Sequence, residues 1–428
     1  MKKRGIIAAL LIFLFPASYV FFNQYINFDT LSAVLFLLII IVLVIRNRKI
    51  LNFQTILGLG KLPLVYAVLW KTKFGLKFMD NIANKYRETI KLIGYCFIGL
   101  GFVGMIFISV NLLIMLFRLF ITPKETAQGV SLVLPLTNIP GIGYLSFWYF
   151  LITIFVAVLI HEFSHGIVAR AHKVPVNASG LGVFSLILPL FPLAFVEPDE
   201  KKLQKNKDVV QYSIFSAGPM VNVIFALLLL LLMSFVIFPV EDSITHPVGL
   251  SFNAVMENYS AEEAGMKPGM IINEVNGKEV LTYQEFSEEI GELEPGQELT
   301  IGTDKGTFNI VTKPAPDEPD KGYIGILDIR NERRMNREYE RLSGTYFWLR
   351  GLVKWMYILN LIIGLMNLLP LMVTDGGRML KTALEKIIKD TKKANKAWVF
   401  VGAVFIFTLL FALIVRYSLE LLSFLSLG

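Results

Sequence analysis

Seven stretches of this chain are apolar over enough residues to cross a bilayer, and that removes most water-soluble folds at once. At 1.5 Å per helical residue, about 20 residues span the hydrocarbon core. Runs of about that length or longer lie at 5–22, 30–45, 89–121, 145–169, 210–239, 345–371 and 397–419. The 54% hydrophobic content, the 18% charge and a mean hydropathy of +0.59 point the same way. The expected fold is a polytopic α-helical membrane protein with about seven transmembrane helices. The first run follows Lys2, Lys3 and Arg4, so it reads as an uncleaved anchor or as a signal peptide processed near Pro16-Ala17-Ser18. Both readings give the later spans the same topology.

Lys and Arg collect on the cytoplasmic side of multi-pass proteins. Residues 2–4, 46–91, 170–207 and 378–396 hold 26 of the 41 basic residues, and these are alternate connections between spans. The loop at 23–29 has none. The net charge of +7 therefore reports membrane orientation, and no nucleic-acid partner is expected. The chain is expected in a cell membrane, multi-pass, with the lipid bilayer as its surroundings.

One long connection departs from this pattern. Residues 241–350 carry 11 basic residues but 21 acidic ones, as a folded, translocated domain does. Within it, 241–333 alternates apolar and polar residues between glycine-marked turns and reads as a small α/β domain on the extracytoplasmic side. The expected organisation is an N-terminal transmembrane hairpin and basic cytoplasmic segment at 1–88, and a membrane catalytic region at 89–240. The inserted domain at 241–333 and a second membrane catalytic region at 334–428 complete it.

His161-Glu162-Phe163-Ser164-His165 lies inside the fourth run. On a helix, imidazoles at i and i+4 share a face and reach one Zn²⁺, while the glutamate next to the first serves the hydrolytic water. Cys96 is the sole cysteine, so a metal here must be held by nitrogen and oxygen. Two histidines leave a catalytic zinc one protein ligand short. Asp375 is the best candidate for the third. It follows Asn367-Leu368-Leu369-Pro370 and precedes Gly376-Gly377, at the inner end of the sixth run, matching the depth of His161. Proline and paired glycines interrupt a helix there, and irregular backbone at membrane depth must face protein or a watery cavity. The competing reading makes Asp375 a helix cap. His172 reads as a solvated interface residue, and His246 has no nameable partner in sequence.

HExxH at 161–165 and Asn-x-x-Pro-x-x-x-x-Asp-Gly at 367–376, in that order, resemble the site-2 protease family of intramembrane zinc metalloproteases. Thr374 stands where such proteins commonly have leucine. The resemblance implies His161, His165 and Asp375 as zinc ligands and Glu162 as the catalytic glutamate. Ser216-Ala217-Gly218-Pro219-Met220-Val221-Asn222 also fits a family motif, so Asn222 and Asn367 would bind substrate; the alternative is that both tie helices together. Residues 177–198, apolar but laden with Gly and Pro, resemble the family's re-entrant β-hairpin, against the alternative of an interfacial loop. Tyr259–Ile272, Val275–Lys278 and Lys321–Ile326 resemble a PDZ domain of permuted type, which implies a groove for a peptide C-terminus; a plain steric filter is the other reading.

The function expected is hydrolysis of a peptide bond in or near the transmembrane helix of membrane-protein substrates, in regulated intramembrane proteolysis. A catalytically silent scaffold presenting the PDZ-like domain is the alternative. A transporter would need more intramembrane charges than these spans offer.

Overall fold

The computed structural model describes residues 27–59, 62–186, 188–316 and 318–426. The first predicted span, at 5–22, lies outside them. In chain order the principal elements begin with helix α1 (Phe28–Asn47), strands β1 (Asn52–Leu59) and β2 (Leu62–Thr72), and helices α2 (Leu76–Lys85), α3 (Arg87–Ile121) and α4 (Phe147–Ala171). Strands β3 (Val176–Leu186) and β4 (Leu188–Pro198) and helix α5 (Asp208–Leu232) follow. Then come β5 (Thr245–Ser251), β6 (Ile271–Val275), α6 (Tyr283–Ile290), β7 (Glu298–Thr303), β8 (Gly306–Val311) and β9 (Arg330–Met335). Helices α7 (Ser343–Leu368), α8 (Asp375–Ile388) and α9 (Thr391–Ser426) come last. Six helices among the described residues are long and apolar enough to cross a membrane: Phe28–Asn47, Arg87–Ile121, Phe147–Ala171, Asp208–Ile244, Arg337–Leu368 and Thr391–Leu422. The protein is a polytopic, mainly helical membrane protein.

The chain divides into two compact units, one of residues 1–231 and 351–428 and one of Leu232–Arg350. In the first, the predicted hairpin at 177–198 is the antiparallel pair β3–β4. It does not stand alone. The basic segment at 46–91, expected as a cytoplasmic connection, contributes β1 and β2, and the sheet runs β1-β2-β3-β4 with Val68 opposite Val183 and Trp70 opposite Leu181. Among the described lysines of this segment, Lys71 lies on β2 and Lys77 and Lys85 lie on α2. β4 closes one edge of that sheet.

Helix α4 starts cleanly because two side chains take up its first amides. Ser146 caps Trp148 N–H at 3.2 Å, and Asp29 of α1 accepts Phe147 N–H at 2.9 Å. Inside, Val168 and Ala169 of α4, Ile214, Phe215 and Ala217 of α5 and Met379 of α8 bury into one cluster. Close packing of this kind fixes how α4, α5 and α8 face one another.

The unit Leu232–Arg350 has its own core of Leu250, Phe252, Ile272, Phe286, Ile301 and Ile324, all under 2% exposed. Its antiparallel sheet runs β8-β7-β6-β5-β9. Thr282 and Glu285 form a capping box that starts α6. His246 is not partnerless, since its Nδ1 lies 2.9 Å from Asn336 Oδ1.

Candidate metal centre and active site

α4 carries His161 and His165 one turn apart, so both imidazoles leave the helix on one face. Asp375 reaches them from α8. Its Oδ2 is 3.0 Å from His161 Nε2 and 3.2 Å from His165 Nε2, and the two Nε2 atoms are 3.2 Å apart. A tetrahedral zinc ion with bonds of about 2.0–2.1 Å needs donor atoms about 3.3 Å apart. The donor set, two imidazoles and a carboxylate with no thiolate, also suits that ion. His165 Nδ1 is 2.6 Å from Ile214 O, a hydrogen bond that puts the ring proton on Nδ1 and turns the Nε2 lone pair inward. The residues present therefore fit the metal that the sequence implies.

The approach of Asp375 depends on backbone that only particular residues allow. α7 stops at Leu368, ahead of Pro370, as the residue before proline avoids helical geometry. α8 begins at Asp375 with Thr374 as its N-cap, Thr374 Oγ1 accepting from Gly377 N–H at 3.2 Å and lying 2.5 Å from Leu369 O. Thr374, the departure from the family pattern, thus does the capping, and Asp375 is left to face the imidazoles. A Cβ on Gly376 would collide with Leu368 O, and one on Gly377 with Leu371 O. From behind, Trp398 Nε1 of α9 donates to Gly377 O at 2.8 Å. Arg378 stacks 4.2 Å from the Phe215 ring and pairs with Glu200, just past β4.

α5 closes another side. A Cβ on Gly218 would stand 2.7 Å from His161 Nε2 and nearer still to His165 Nε2, so only glycine leaves the donor atoms room. Asn222, one turn further, is fully buried, and among the described residues neither its Oδ1 nor its Nδ2 has a hydrogen-bond partner. Such a group costs about 1–3 kcal/mol unless something occupies it. Asn367 Nδ2 bonds back to Ile363 O at 3.1 Å. Neither asparagine hydrogen-bonds to His161, Glu162, His165 or Asp375.

Glu162 Oε2 accepts Val196 N–H of β4 at 2.8 Å, leaving its second oxygen for other chemistry. His172, expected to be solvated, is half-buried with Nε2 3.3 Å from Ser213 Oγ, because α3 and α5 pack beside it. Sequence reasoning passed over Gly218, Val196, Trp398 and Arg378. Gly218 lay inside a motif already singled out, and its small size was the available signal; Val196 lay inside the hairpin segment at 177–198, but no residue type marks a backbone N–H, and Trp398 and Arg378 carry no signal.

The model of peptidase family M50 matches residues 149–409, more than half of the chain and the whole of this site. The chain belongs to peptidase family M50. An uncharacterized protein of Methanocaldococcus jannaschii is 30% identical over 377 residues, covering 86% of this M50 chain and 89% of that protein. The zinc metalloproteases RasP of Shouchella clausii and Geobacillus kaustophilus are 24% and 22% identical over 40% of the chain. The matches span about half the length of those two enzymes, 50% and 49%.

Proposed function

We propose that this M50 chain is an intramembrane zinc endopeptidase, cutting a peptide bond in or near the transmembrane segment of membrane-protein substrates. The observation that carries the proposal is the convergence of His161 and His165 Nε2 with Asp375 Oδ2 at 3.0–3.2 Å, beside Glu162, inside a membrane-spanning helix bundle. His161, His165 and Asp375 hold the cofactor, which is zinc. When bound, zinc supplies Lewis acidity, making water acidic enough to give up a proton near neutral pH and polarising the scissile carbonyl. Glu162 takes that proton and passes it to the leaving amine. The Val196 N–H holds the carboxylate in place while it does so.

A helical peptide bond is shielded by its own hydrogen bonds, so the substrate must unwind, and the lost bonds must be replaced. β4 supplies replacements. It is an edge strand, and its Val196 N–H points out of the ladder toward Glu162, so an extended substrate added along that edge meets the site. Asn222 and Asn367 are assigned to the substrate backbone, the orphaned amide of Asn222 being the stronger support. The unit Leu232–Arg350 is read as the PDZ-like domain that admits or senses a peptide C-terminus. By the distribution of basic residues, the chain sits in the cell membrane with the catalytic side cytoplasmic and the inserted unit extracytoplasmic.

The test is Glu162→Gln in the purified full-length protein with a membrane-anchored reporter substrate. Zinc stoichiometry stays at the wild-type value and cleavage is lost; a variant that cleaves at the wild-type rate refutes the assignment.

A further inference from the structure

α1 and α4 are fastened together at one end. Asp29 accepts from Phe147 N–H, Trp148 Nε1 lies 3.2 Å from Ser32 Oγ, and the Phe36 and Phe147 rings are 5.5 Å apart. Beyond Phe36 the space between them opens into a cavity of about 920 Å³. Ile40 and Val44 of α1 and Phe155 of α4 form its walls, and Trp70 and Leu181 lie on the sheet face beneath. The lining is apolar until the inner end, where Arg46 and Asn47 stand at the mouth. Arg48 and Lys49 follow in the adjoining turn, all three cations are exposed, and none forms an ion pair among the described residues.

We propose that this groove is a binding site for one anionic phospholipid, its acyl chains between α1, α4 and the sheet and its phosphate at Arg46, Arg48 and Lys49. An apolar recess within a bilayer fills with chains, because an empty one forfeits the dispersion contacts of its whole lining. The charge selects among occupants. Basic recesses between transmembrane helices on the cytoplasmic side attract anionic headgroups. A substrate helix brings its own Lys and Arg to that side and is repelled there. The floor of the groove includes Pro192 and Leu193 of β4, close along the strand to Val196, so the lipid braces the hairpin that holds Glu162. Lipid composition thereby becomes a regulator of the site.

Trp70 is 51% exposed and lines the groove, which gives a direct readout. The full-length protein is placed in phosphatidylcholine vesicles containing either phosphatidylglycerol or phosphatidylcholine with brominated chains, and quenching of Trp70 is taken as wild type minus Trp70→Phe. Brominated phosphatidylglycerol is expected to be about fivefold preferred, the effect of one basic residue near the surface. In Arg46→Gln/Arg48→Gln/Lys49→Gln, with unchanged helix content, the two lipids quench equally. Equal quenching in the wild type, or a preference that survives the triple substitution, overturns the proposal. So does a Trp70 protected from both lipids, and one that responds only to an added transmembrane peptide assigns the groove to substrate instead.

Discussion

The backbone N–H of Val196 donates to the Glu162 carboxylate at 2.8 Å, joining an edge strand to the helix that bears both histidines. Val196 pairs across the ladder with Ser179, yet its N–H points the other way, so proline can replace it without breaking the sheet. Val196→Pro removes one hydrogen bond to a charged group, about 1.5–3 kcal/mol. Cleavage is expected to fall at least tenfold with zinc content unchanged. Metal analysis and reporter cleavage on the same preparation check this, and a rate equal to wild type would show that Glu162 needs no support from β4.

Gly218→Ala places a methyl group 2.7 Å from His161 Nε2. Nothing in helix propensity forbids alanine there, so α5 still forms. The expected result is a protein of unchanged helix content with zinc well below one equivalent. Full zinc occupancy would mean that α5 yields, and that the glycine serves something else.

How much of this site could be read from the chain follows from where its constraints lie. His161 and His165 are neighbours on one helix turn, so their spacing is written in the sequence, and the Pro370 and Gly376-Gly377 break marks Asp375 as unusual within an apolar run. Gly218 is required only because α5 passes over two imidazoles of α4, a relation between distant segments. The β1–β2 pair was hidden for a similar reason: residues 52–72 are largely apolar, with Gly58, Gly60 and Pro63 among them, and only pairing with β3 makes them part of a sheet. Thr374 departs from the family pattern, and its capping role emerges once Leu369 O and Gly377 N are placed around it.

In the unit Leu232–Arg350, Asp304 Oδ1 accepts Ile271 N–H at 2.9 Å, which, with Lys305 beside it, holds the carboxyl below the usual aspartate range. A carboxyl with a lowered folded-state value contributes stability that is complete above the unfolded value of about 3.9 and disappears as pH falls through the folded one. Hydrogen-exchange protection of the Ile271 amide, corrected for intrinsic exchange, should therefore drop in that acid window. Asp304→Asn keeps an acceptor but cannot titrate, so its protection is lower at neutral pH and flat across the same range. An identical acid drop in the variant would place its origin elsewhere.

Trp398→Phe tests whether α9 positions Asp375. The indole N–H donates to Gly377 O at 2.8 Å, Lys381 lies 5.0 Å from the same ring, and a Cβ on Gly402 of α9 would stand 3.1 Å from Met372. α9 is thus pressed against the loop that delivers the carboxylate. Phenylalanine keeps most of the packing and loses the donor, so the helix stays docked while Gly377 O keeps only its partner within α8. Loss of a supporting partner outside the ligand set costs about 10–100-fold in metal affinity. Zinc competition against a chelator is expected to show a loss at the lower end of that range, since Thr374 and Arg378 still hold α8. Trp398→Leu removes the aromatic ring as well as the donor, and its affinity should fall further; two variants that bind zinc as tightly as wild type would show that Asp375 is placed by Thr374 and the glycine pair alone.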